Sequence, residues 1–209
     1  MEEKRINERE SLEIITTMIA RTKERYMLGD GNILLLWGYL TVAVSLLVWA
    51  LLMVYRHPAV NWLWFLIWVV GGTVTPMIAK KRTIKSGVKS YSDKISSRIW
   101  NVVGVCCILC TFCCLGFLFA KGVNSWSSLL VFALIIVPFA EIAQGIVVEE
   151  RSLVWGGYIG LAAGIFTLCC IAGGVPLIAS WYIPVFTAAF VCMMIIPGHI
   201  INHKAKQQK

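Results

Sequence analysis

KKRTIKSGVKSYSDKISSR, residues 80–98, carries seven Lys or Arg against a single acid, Asp93, and lies between two long apolar runs. Basic residues near the ends of membrane helices resist translocation, so this stretch reads as a cytoplasmic loop. That reading orients every segment around it. Counting outward, the inner segments hold the six basic residues of 1–31, the seven of the loop, Arg151, and Lys204, Lys206 and Lys209. Together they are 17 of the 19 Lys and Arg, and only Arg56 and Lys121 fall on outer loops. Both termini are expected inside.

Six apolar segments account for the rest, at about 32–55, 59–79, 99–120, 126–148, 152–171 and 180–201. Each reaches the roughly 20 residues that a helix needs to cross a bilayer. Unpaired backbone amides cost several kcal/mol each in hydrocarbon, so the spans must be helices or a closed barrel. The runs lack the two-residue alternation of a barrel strand. The fold class is therefore all-α: a polytopic bundle over 32–203, with a basic loop at Lys80 to Arg98 and a basic tail over 204–209.

Composition agrees. Hydrophobic residues make up 58% and charged residues 14% of 209, with mean hydropathy +0.76. Soluble domains average roughly 25% charged residues, and this chain has too few to cover a water-exposed globule. The formal charge of +8 is gathered at the ends of apolar segments. Anionic lipid headgroups at Lys80 to Arg98 are its expected partner, not nucleic acid.

Residues 1–31 contain no apolar core of a signal peptide. Asn7 followed by Glu10 has the spacing of a capping box. Leu12, Ile15, Met18, Ile19, Thr22 and Tyr26 then recur at helical spacing. An amphipathic helix is expected from about Glu8 to Met27, ending at Asp30-Gly31. It can dock a protein partner, lie on the inner headgroup layer, or rest against its own bundle.

ESLEII at Glu10 to Ile15, Met18-Ile19 and LLLWGYL at Leu34 to Leu40 resemble the opening of a family of uncharacterised bacterial integral membrane proteins. Those pair a charged N-terminal helix with several spans. The resemblance covers roughly the first 55 residues. It implies a bacterial cytoplasmic membrane, and no activity or site residues.

Tryptophans mark the helix starts: Trp37, Trp100 and Trp155 on outward-going spans, Trp62, Trp126 and Trp181 on inward-going ones. Pro76, Pro138 and Pro197 come late in the inward spans, and SLVWGGYIG at Ser152 echoes LLLWGYL. Three related hairpins would explain the pattern. So would interfacial Trp belts alone.

Three clusters bear on chemistry. Cys106, Cys107, Cys110, Cys113 and Cys114 overlap in C-x-x-C spacing, which suits a soft metal or thiol redox. A thiolate ligand must be deprotonated, however, and this run offers no Lys, Arg or His to stabilise the anion. Packing is the preferred reading, with Cys169, Cys170 and Cys192 alike. Gly156, Gly160 and Gly164 recur every fourth residue and so share one face, where another helix can approach backbone to backbone. That helix belongs either to this chain or to a second copy in a homo-oligomer.

Glu141 is the one acid well inside a span, with Pro138 before it and Gln144 one turn on. A charge at mid-membrane costs about 2.5 to 3.5 kcal/mol on insertion scales and usually faces the bundle interior or a wet cavity. Thr73 and Thr75 of the second span, and His199 and Asn202 of the sixth, lie on the same side of the membrane. A polar vestibule formed by Glu141, Gln144, Thr73, Thr75 and His199 would serve a small-solute or proton-coupled transporter. Alternatively, Glu141 bonds Gln144 and only locks helices.

No phosphate-binding Gly-rich loop, H-E-x-x-H or G-x-S-x-G occurs, so no enzyme, cofactor or metal site is expected. The preferred reading is a non-enzymatic interaction or regulatory module, working through the N-terminal helix and the basic loop. The transporter is the alternative, and thiol or soft-metal handling comes third.

Overall fold

The computed structural model describes residues 8–86 and 91–207, with side chains described for all of these but 8, 21–30, 81–86 and 91–93. Every element among them is helical. In order they are α1 (Glu8–Tyr55), a 3₁₀ segment (Pro58–Trp64), α2 (Phe65–Ser86), α3 (Tyr91–Lys121), α4 (Trp126–Val148), α5 (Arg151–Ala172), α6 (Ala179–Phe190), a π-helical turn (Val191–Ile195) and α7 (Ile196–Gln207). Six stretches are long and apolar enough to cross a membrane: Gly31–Tyr55, Pro58–Lys80, Lys94–Lys121, Trp126–Val148, Arg151–Ala172 and Ala179–Gln207. The chain is an all-α, multi-span membrane protein.

Three boundaries differ from the sequence reading. The stop expected at Asp30-Gly31 is absent, and α1 runs unbroken for 48 residues. Gly31 is buried, and a Cβ there would meet Asn202 and come within 2.8 Å of the Gly198 carbonyl. Its missing side chain admits α7 rather than ending a helix, and Asn32 accepts a 2.8 Å hydrogen bond from Asn202 alongside. The Lys80 to Arg98 stretch is mostly the ends of α2 and α3, with only 87–90 outside the described residues. Lys and Arg are good helix formers, and cations at the C-terminal end of α2 also complement its dipole. The 204–209 tail is likewise helical through Gln207.

The centre of the bundle is α1 against α6 and α7, and α4 against α5. Val48, Leu134, Tyr182, Phe186 and Met193 are among its fully enclosed side chains. Gly156, Gly160 and Gly164 are buried, and all their close neighbours belong to this same chain. A Cβ on Gly156 would stand 3.0 Å from the Met193 carbonyl, and one on Gly160 2.9 Å from the Pro138 ring. One on Gly164 would run into the Leu134 carbonyl. Pro138 has no N–H to give that carbonyl, so the glycine lets α5 close over a backbone group its own helix cannot satisfy in full. The face is filled within the subunit and has no room for a second copy.

At the other side of the molecule, α2 packs on α1 and α3 packs on α4, but α2 and α3 hardly meet. At one end they are bridged through α4. Trp62 and Phe65 place their rings 5.9 and 5.7 Å from that of Trp126, beside Cys110, Cys114 and Leu129. The two helices diverge from this aromatic knot toward the end that carries the termini.

Candidate functional site

The divergence of α2 and α3 leaves a cleft of about 770 Å³. Its back wall is α1, α4 and α6, and its sides are α2 and α3. Small-molecule sites run roughly from 300 to 1,000 Å³. Along α4 the lining extends from Gln144 to Leu129, roughly 22 Å at 1.5 Å per residue.

Four tryptophans shape it: Trp37, Trp64, Trp68 and Trp100. Trp37 stands edge-on to Trp68 at 6.4 Å and donates its ring N–H to Thr75 Oγ1 at 2.9 Å, joining α1 to α2. Trp100 donates to Gln144 Oε1 at 2.6 Å, joining α3 to α4. Both indole N–H groups are thereby satisfied, and the rings are left to offer apolar surface. Closer to the terminal-bearing end, the lining turns polar through Ser96, Ser97 and Asn101, and cationic through Lys94 and Arg98.

The residues expected to form one vestibule are divided. Thr75 and Gln144 line the cleft. Thr73 is exposed on the far side of α2 and donates to the Val69 carbonyl at 2.8 Å. His199 is exposed on α7, sharing a 2.6 Å hydrogen bond with the Tyr39 hydroxyl. Glu141 is fully enclosed and outside the lining, and both its carboxyl oxygens lack a partner among the described residues. Gln144 bonds Trp100, not Glu141. By helical spacing, Glu141 falls on the stripe of Leu134, Pro138 and Gly145 that faces α5.

The cysteines of α3 serve the packing of the same region. Cys107 lines the cleft, and Cys114 donates weakly to the Ser125 carbonyl at 3.5 Å beside Trp126. Cys106 and Cys110 are half-buried and Cys113 is exposed. Among the described residues no three His, Cys, Asp or Glu side chains gather as metal ligands would.

Sequence reasoning missed two features. Trp64 and Trp68 gave no sign of facing a cavity, since an interfacial Trp and a lining Trp look alike in a sequence. The second is an ion pair that ties the α4–α5 turn to α7. Glu150 caps α5, accepting from Ser152 N at 3.3 Å and Ser152 Oγ at 2.9 Å, while Lys204 of α7 reaches it at 2.7 Å. Burial pushes the Glu150 carboxyl up, but the bonds from Lys204 and Ser152 outweigh it and hold the group below its ordinary range.

Comparison with protein-family models, curated proteins and solved structures finds no match for this chain.

Proposed function

We propose that this protein is a non-enzymatic binding and regulatory module of a bacterial cytoplasmic membrane, with both termini inside. In this reading the cleft receives a ligand from the bilayer, and α1 presents the outcome to a cytosolic protein. One observation carries the reading: the helix whose Ile33, Leu34, Trp37 and Thr41 form a wall of the cleft is the helix that continues unbroken to Glu8. On that extension Leu12, Ile15 and Ile19 are 52–64% exposed. An unbroken helix that crosses the bilayer cannot also lie flat on its surface, so these three exposed side chains are open to a partner. The carrier alternative depends on Glu141, which the cleft does not reach.

A photo-crosslinking residue placed at Ile15 of the full chain, in native membranes, tests the docking role. It should trap one protein, and Ile19→Glu should lower the yield by on the order of tenfold, as loss of a central interface contact does. Adducts with lipid alone would place the helix on the bilayer surface and overturn it.

A further inference from the structure

The chemistry of the cleft changes along its length in one direction. Lys94 and Arg98 stand one turn apart on α3, so they share a face about 6 Å apart along the axis. No carboxylate occurs among the described lining residues. Deeper in, Leu130, Ala133, Val137, Phe186 and Phe190 present only hydrocarbon. A ligand matching this wall has an anionic end and a long apolar body.

Three geometric facts narrow the ligand further. The depth of roughly 22 Å exceeds the roughly 15 Å of one leaflet's hydrocarbon, so an extended acyl chain fits inside. The volume of about 770 Å³ lies within the usual range of small-molecule sites. The spans α2 and α3 share few contacts, so a tail can enter between them from the bilayer without crossing water.

We propose that the cleft holds one acyl chain of an anionic membrane phospholipid, with its phosphate between Lys94 and Arg98. Guanidinium and ammonium donors one turn apart suit the non-bridging oxygens of a phosphodiester. The tail lies against Trp68 and Trp100 and ends beside Leu130 and Phe186. This rests on the cleft being the module's ligand site, and the experiment separates the two ideas.

The full chain is reconstituted in liposomes containing phosphatidylglycerol or phosphatidylcholine with a diazirine near the end of one tail, and photo-adducts are mapped. Leu130 and Ala133 report the cleft, and Phe112, exposed on the outer face of α3, reports surface lipid. Phosphatidylglycerol should label the two cleft residues on the order of tenfold more than phosphatidylcholine, reflecting two cations at the headgroup level. Lys94→Gln with Arg98→Gln should erase that preference. Gly104→Leu should remove cleft adducts from both lipids and leave Phe112 labelling unchanged, because a Cβ at Gly104 meets nothing within 4 Å and the side chain grows into the cleft. Equal cleft labelling by both lipids in the wild type overturns the anionic ligand and leaves the module reading standing. A preference that survives the double substitution overturns it too, by moving recognition elsewhere. No cleft adducts with either lipid, while Phe112 is labelled, overturns the ligand and the cleft's role together.

Discussion

The α4–α5 hairpin and the α2–α3 pair are both sequence neighbours running antiparallel, and they solve opposite problems. In α4–α5 a two-residue turn, with Glu149 left-handed and Glu150 as cap, brings backbones into contact along Gly145, Gly157 and Gly164. The α2–α3 pair is bridged at one end by the rings of Trp62, Phe65 and, from α4, Trp126, and the gap beyond is walled by bulky rings. Glycine content alone does not separate them. Gly72, Gly104 and Gly116 belong to the open pair, and a Cβ at any of them would touch nothing. What matters is whether a backbone lies opposite.

The largest test of this contrast is a pair of identical substitutions. Gly164→Leu must displace the α4 backbone at Leu134, so it should cost more than about 3 kcal/mol or prevent folding. Gly104→Leu should change stability by less than about 1 kcal/mol. Thermal unfolding in a mild detergent compares them, and equal losses would mean that the cleft is closed.

Glu141 sharpens the tight side of the comparison. Its enclosed carboxyl has no partner among the described residues, so a side chain of similar volume without polar atoms removes a desolvation cost. Glu141→Leu should raise stability by about 1–3 kcal/mol in the same assay. A loss of stability would reveal a polar partner that the bundle supplies.

The smallest effect is expected at Glu150. A carboxyl held below its ordinary range stabilises the fold above about pH 4.3, the usual Glu value, and the contribution fades as pH falls through the lower folded value. Glu150→Gln should cost about 1 kcal/mol at pH 7, limited by the half-exposed Lys204, and should flatten stability across acid pH. An unchanged acid limb would show that other carboxylates govern it.

Much of the fold was legible because lipid leaves a chain few choices. Apolar length named the spans. The glycine spacing named a contact face, though not that α4, the π-helical turn and α7 would fill it. The cleft was not legible, because it is made by a gap between α2 and α3, and a sequence pattern records contacts rather than gaps. Gln144 and Thr75 stood out as polar residues in apolar runs, but their partners proved to be Trp100 and Trp37, 44 and 38 positions away. Glu141 drew attention for the same reason, yet rarity marks a residue as costly without saying which way it faces. Asp30-Gly31 misled because a glycine that admits a neighbouring helix reads like one that ends its own.

The unbroken α1 has a mechanical consequence. The stretch from Glu8 to Asp30 projects as a rod roughly 35 Å long beyond the span that walls the cleft. A tilt of about 10° at the base, the scale of adjustment that packed helices make, swings the tip by roughly 6 Å. A lever arm of that length converts a displacement no larger than a methyl group between α1 and α2 into one as wide as a side chain at the N-terminal end.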